Sequence, residues 1–191
     1  MKKHFLKSLT LSLCLSITLM AKEKHHHHES LAKHIHGEAN LNLILEDDKK
    51  GELEFEAPGM DVVGFEYDAK TPKEKEKLNQ VLSEFKSKAQ ELFVLDASLK
   101  CVLTPKEVAW ESEDHEEPEG VHRDHEKQPV AEHHAIEASY SINCQKPLKG
   151  TRFNLELFKK FKSLKKVNFQ YMGSNLQRAS ELSAGKSSIE L

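Results

Sequence analysis

Histidines dominate the residues of this sequence that could carry chemistry. The chain has 191 residues and 12 histidines, and eleven of these fall in two clusters that are also rich in glutamate. Neutral imidazole is the commonest nitrogen ligand for Zn, Cu and Ni ions in proteins. Neither cluster contains the cysteines of a structural zinc finger. The pattern therefore predicts metal binding through histidine.

The first cluster runs from His25 to His36 and ends in the sequence KHIHG. His34 and His36 are two residues apart at the start of a predicted strand. Because side chains two apart lie on the same face of a strand, one ion could be held by both imidazoles. The alternative is a solvated tail without a site.

The second cluster runs from His115 to His134. His133 and His134 begin a predicted strand, and alternation places them on opposite faces. His134 shares the face of Ile136 and Tyr140, which favours it as an ordered ligand; the alternative is a core histidine bonded to a backbone carbonyl. The other histidines lie in polar segments that would collect metal loosely or only form solvated linkers: His25, His26, His27, His28, His115, His122 and His125.

Residues 1–21 have the pattern of a secretory signal peptide. A basic head, MKKHFLK, precedes the apolar run LTLSLCLSITLM, and Ala21 is a small residue at the exit. A transmembrane helix needs about 20 apolar residues, and this run is shorter. We therefore expect cleavage near Ala21, a periplasmic protein, and no stable membrane insertion after cleavage.

Charge and cysteine content narrow the class of protein further. Without Lys2, Lys3 and Lys7, the formal charge of −3 becomes −6, which argues against nucleic acid as a partner. Cys101 and Cys144 are the two cysteines that remain after cleavage. An even count in an exported protein predicts one disulfide. Two unpaired buried cysteines and a paired cysteine metal site are the alternatives.

Hydrophobic periodicity predicts one α+β domain with an antiparallel sheet, one long helix and one short helix. The sequence GEANLNLILEDDKKGELEFEAP predicts a hairpin. Residues 71–94 predict the long helix, with a capping box at Thr71 and Glu74. ASLKCVLTPKEVAWE and HHAIEASYSINC predict strands with both cysteines on core-facing positions. TRFNLELFKKF predicts the short helix, KKVNFQYM a strand, and SSIEL a last edge strand.

This organisation predicts three parts: a signal peptide at 1–21, a histidine-rich segment at 22–36, and a domain at 37–191. The domain carries a histidine- and glutamate-rich insertion at 111–134, which has no aliphatic periodicity. An enzyme is disfavoured, because the chain has no Gly-rich phosphate loop, no HExxH pair and no serine elbow. A metal-dependent hydrolase would need an open coordination position beside a pocket.

The order of these motifs resembles the ZrgA-like family of exported bacterial proteins. The resemblance is carried by HIHGEANLNLILEDD, GELEFEAPGMDVVGFEY, ASLKCVL, HHAIEASYSINC and LELFKKF, and it covers nearly the whole mature chain. It implies zinc binding by histidines without catalysis, in support of a high-affinity zinc importer. It marks His34, His36 and His134 as ligands, and Cys101 and Cys144 as paired cysteines.

One position departs from the family pattern, which usually has GFEH where this chain has GFEY. Tyr67 therefore replaces a histidine, and Glu66 is a candidate substitute for it. We expect a periplasmic protein that captures, buffers or delivers Zn²⁺. The alternatives are a Cu²⁺ or Ni²⁺ scavenger that uses the same histidines and a non-catalytic structural protein of the envelope.

Overall fold

The computed structural model describes residues 35–113, 133–173 and 176–191. The predicted signal peptide, most of the N-terminal histidine-rich segment and most of the insertion lie outside these ranges. The elements in chain order are β1 (Glu38–Leu45), β2 (Lys50–Pro58), α1 (Gly59–Val62), α2 (Pro72–Ser87), α3 (Ala89–Leu92), β3 (Phe93–Leu95), a 3₁₀ turn (Ala97–Leu99), β4 (Val102–Glu113), β5 (His133–Asn143), β6 (Arg152–Leu155), α4 (Leu157–Lys160), β7 (Lys166–Gly173), β8 (Leu176–Ser183) and β9 (Ser188–Glu190).

Two sheets hold the described strands. Six strands form one sheet in the order β4-β5-β2-β1-β7-β8, and three form a second sheet in the order β3-β6-β9. The predicted hairpin is confirmed, since β1 and β2 pair antiparallel with Leu43 opposite Leu53. Both leucines are fully buried, while Glu52 and Glu54 on the alternate positions of β2 face outward. The sheet therefore has one apolar and one polar face, as the alternation requires.

The longest described helix, α2, covers part of the apolar face. Its capping box is present, because Thr71 accepts a hydrogen bond from the backbone N–H of Glu74 and Glu74 bonds back to Thr71. Phe85 of this helix is fully buried and stacks on Phe55 of β2 at 5.2 Å between ring centroids. The helix ends at Ser87, and α3 follows as a separate turn, so the segment predicted as one helix over 71–94 is divided. Within the described residues, no helix has both the length and the apolar composition that crossing a membrane requires.

Three predictions about the sheets were wrong. β1 and β7 pair in parallel, so the large sheet is mixed and not purely antiparallel. The start of TRFNLELFKKF forms strand β6 before the helical turn α4, because Phe153 and Leu155 alternate and are both buried. The strand predicted to contain Leu99 and Cys101 begins only at Val102, since residues 97–99 form a 3₁₀ turn. β8 was not predicted, whereas the predicted last strand is present as β9.

The cysteines form a disulfide, although they do not lie within strands. Cys101 precedes β4 and Cys144 follows β5. Val102 pairs with Asn143 in the antiparallel register of these strands, which places the neighbouring cysteines side by side. The disulfide therefore closes one end of the β4–β5 pair. The other end carries His133 and the insertion.

Candidate metal centre

Two histidines from distant parts of the chain contact the same carboxylate. The His36 Nε2 atom lies 3.0 Å from Oε1 and 3.1 Å from Oε2 of Glu66. The His133 Nδ1 atom lies 2.9 Å from Oε2 of Glu66. The Glu66 side chain is only 10% exposed, whereas the two imidazoles are about half exposed. The group of His36, Glu66 and His133, called the histidine–carboxylate cluster below, thus has a buried anion between two accessible nitrogen donors.

The backbone beside His36 is fixed by a buried aspartate. Gly37 adopts a φ of +87°, a region that favours glycine. Its N–H donates to Oδ2 of Asp61 at 2.6 Å, and its carbonyl accepts from the backbone N–H groups of Lys165 and Lys166. These three bonds hold the turn that leads from His36 into β1. They therefore fix the backbone next to the residue from which the His36 imidazole extends.

The opposite side of the cluster lies at the start of β5. His133 is the first residue of this strand and pairs with Glu113, the last residue of β4. Residues 114–132 connect these two positions in the sequence, and residues 22–35 lead directly to His36. Both histidine-rich segments therefore join the described fold at the cluster.

The next residue, His134, is buried on the other face of β5. Its side chain is 5% exposed, compared with 45% for His133. The Nδ1 atom lies 3.4 Å from the Glu66 carbonyl oxygen, and Nε2 lies 3.3 Å from Oδ1 of Asp68. Its ring stacks on Trp110 at 5.2 Å. Alternation thus separates the two neighbouring histidines, as the strand pattern predicted.

The environment of Glu66 favours its ionised form. Burial disfavours the charge, but hydrogen bonds from His133 and His36 outweigh burial, so the pKa of Glu66 lies below its ordinary value. An anionic carboxylate between two imidazoles is a donor set that suits zinc.

The pKa of the Asp61 carboxyl is shifted upward, in the opposite direction to that of Glu66, because burial outweighs the hydrogen bond from Gly37. Folding therefore disfavours the Asp61 anion, so the contribution of the Asp61 carboxyl to the stability of the fold improves as the pH falls through the raised pKa.

We expect Asp61→Asn to raise the melting temperature by a few degrees at pH 7.5. The difference from the unmodified protein should vanish near pH 3, where the carboxyl is protonated in both states. Paired thermal melts at the two pH values measure this, and equal melting temperatures at pH 7.5 would contradict it.

Tyr67 points away from the cluster. Its hydroxyl donates to Oε1 of Glu74 at 3.0 Å, and its ring packs on Phe65 at 5.2 Å. The Tyr67 side chain thus contacts the N-terminal turn of α2. Glu66, which precedes it, is the residue that meets the two histidines.

The distances within the cluster are close to those of a zinc site without matching one. In tetrahedral coordination at about 2.0–2.1 Å, adjacent ligand atoms lie about 3.3 Å apart. The imidazole-to-carboxylate distances of 2.9–3.1 Å are a few tenths of an ångström shorter. As they stand, no three His, Cys, Asp or Glu side chains among the described residues form a group that could hold a metal ion.

The sequence-predicted ligands divide into three sets. His36 and His133 are brought together at the Glu66 carboxylate, and His134 contacts the Glu66 carbonyl oxygen. The remaining candidates lie outside the described residues: His25, His26, His27, His28, His34, His115, His122 and His125. Asp61 was not considered from the sequence, and only its place in GMDVVGFE, near Glu66, could have suggested it.

The fold and the cluster define a class: a sheet-rich α+β domain in which two histidines from distant parts of the chain contact one buried carboxylate. Residues 33–191 match the family described as ZrgA family zinc uptake protein. The chain belongs to this family, and the resemblance found in its motifs is confirmed. A search of curated proteins found no match for the chain.

Proposed function

We propose that this protein binds Zn²⁺ in the periplasm, and that it buffers the ion or delivers it to a high-affinity zinc importer without chemistry on a substrate. One observation carries the proposal: His36 and His133, each at the end of a histidine-rich segment, converge on the Glu66 carboxylate. Membership of a zinc uptake family supports zinc as the cargo.

In this proposal His36, His133 and Glu66 are the ordered ligands. A fourth position stays open for water or for an imidazole from the histidine-rich segments, of which His34 is the nearest in sequence. The other histidines of both clusters raise the local capture of zinc. Because an exchangeable position lets one ligand replace another, this arrangement suits transfer better than permanent storage.

The signal-peptide pattern and the Cys101–Cys144 disulfide support a periplasmic location, since disulfides persist in oxidising compartments.

Copper or nickel is the second candidate cargo. The same nitrogen donors favour Cu²⁺ over Zn²⁺ in the general affinity order. The metal whose depletion induces expression would distinguish the two cargoes better than affinity alone.

Zinc affinity should fall steeply with pH. Metal competes with protons for each imidazole, and an ordinary imidazole has a pKa of about 6.5. Each histidine ligand then weakens binding about tenfold between pH 7.5 and pH 5.5, so two ligands predict about 100-fold. Competitive titration with a zinc chelator at both pH values measures the change. Equal affinity at the two values would rule out histidine ligation.

A matched pair of variants locates the ordered ligands. His36→Ala with His133→Ala should abolish the tightest zinc site, whereas replacing His25, His26, His27 and His28 by alanine should remove only weaker binding. If the second set removes the tightest site instead, zinc is bound by the N-terminal cluster and the proposed ordered site is wrong.

A further inference from the structure

The surroundings of His134 indicate a role different from that of a ligand. The backbone N–H of His134 donates to the carbonyl oxygen of Glu66 at 3.2 Å, and the imidazole Nδ1 lies 3.4 Å from the same oxygen. One residue therefore bonds the Glu66 backbone twice. The Glu66 carboxylate contacts His36 and His133.

Both nitrogens of the His134 ring face oxygen atoms of the segment that carries Glu66. Nδ1 faces the Glu66 carbonyl, and Nε2 lies 3.3 Å from Asp68. The ring also stacks on Trp110 at an interplanar angle of 18°. The His134 side chain is 5% exposed, compared with 58% for His36 and 45% for His133, so an ion has much less access to it than to the other two imidazoles.

Trp110, on which the imidazole stacks, is itself packed against neighbouring residues. The indole meets the edge of Phe65 at 5.7 Å. On another side it lies against Gly59, where an added Cβ would come within 2.3 Å of Cη2 of Trp110. Only glycine leaves room for the indole at this position.

The segment that carries Glu66 lies between α1 and α2, outside helix and strand. Three contacts bind it to this support: Phe65 packs on Trp110, the Glu66 carbonyl bonds to His134, and Asp68 contacts the same imidazole. Since no regular hydrogen-bond ladder fixes the segment, these contacts, together with the Tyr67 hydrogen bond to Glu74, hold the backbone that carries the Glu66 side chain.

We infer that His134, stacked on Trp110, is a positioning residue that holds the Glu66 carboxylate between His36 and His133 and does not itself bind the metal. This inference rests on the proposed zinc-binding function. It assigns different roles to two consecutive histidines of β5, one as a ligand and one as its support. Groups that orient metal ligands typically change metal affinity by about 10- to 100-fold when removed.

Three variants of the full chain test the assignment, by zinc affinity at pH 7.5 and by X-ray absorption of the zinc-loaded protein. His134→Asn keeps an N–H donor near the position of Nδ1, so Kd should stay within about threefold of the unmodified protein. His134→Leu lacks the donor and should raise Kd by about tenfold with the number of imidazoles on zinc unchanged. His133→Asn should raise Kd more and remove one imidazole.

Two results would overturn the inference. If His134→Asn removes an imidazole from zinc and weakens binding as His133→Asn does, His134 is a ligand. If His134→Leu lowers the melting temperature but leaves Kd unchanged, His134 only packs. Failure of the unmodified protein to bind zinc would instead refute the proposed function. His134 would then have no metal ligand to position.

Discussion

Glu66→Gln is expected to weaken zinc binding by about 100-fold, or about 2.7 kcal/mol, while leaving the fold intact. The Glu66 carboxylate is the group that His36 and His133 both contact. Glutamine has the same size and can still hydrogen-bond, so packing is preserved. It lacks the negative charge that offsets the dication, and an amide oxygen is a poor zinc ligand. Isothermal titration with a competing chelator measures the loss.

Glu54→Gln is the matched control, because it removes the same charge from an exposed position of β2. Glu54 contacts Asn42 at 3.4 Å and neither histidine of the cluster. Its zinc affinity should stay within about twofold of the unmodified protein, since charges on the solvated face are screened. An equal loss in both variants would mean that the total negative charge, and no specific carboxylate, attracts the ion.

Removing the disulfide is expected to have the largest effect on stability. The two cysteines are 43 residues apart, and the chain-entropy model gives about 4 kcal/mol for closing such a loop. A chain of this size loses about 2–4 °C of melting temperature per kcal/mol, so Cys101→Ser with Cys144→Ser should melt about 8–16 °C lower. Calorimetry of the variant, beside the unmodified protein with and without a reductant, measures the difference.

In the variant without the disulfide, zinc affinity should change much less than the melting temperature. β5 has 11 residues, so at about 3.3–3.4 Å per residue the disulfide lies about 30 Å or more along the strand from His133. Below its melting temperature, the variant should bind zinc within about threefold of the unmodified protein. A large loss of affinity with unchanged melting temperature would show that the disulfide serves the metal site and not the fold.

Local patterns in the sequence were sufficient for several elements. The alternation of leucines in β1 and β2 predicted their hairpin, and the Thr71 and Glu74 capping box predicted where α2 begins. Motif order was also sufficient for the family. These features depend on periodicity or on residues close in sequence, so a single chain carries the whole signal.

Other features depended on contacts between distant segments. The parallel pairing of β1 with β7 joins residues more than 120 positions apart, and no local pattern indicates which strands become neighbours. Competing local preferences explain the error at TRFNLELFKKF, where a strand and a helical turn follow each other within ten residues.

The histidine clusters were evident from the sequence, and with them the expectation of metal binding. Tertiary structure decided which histidines come together. His36 and His133 are nearly 100 residues apart and meet only because β1, β5 and the segment after α1 converge on Glu66. Strand alternation placed His133 and His134 on opposite faces, whereas the partner on which the His134 ring stacks, Trp110, was known only from the tertiary structure. Residue types determine which chemistry is available, whereas long-range packing determines which side chains come together in one site.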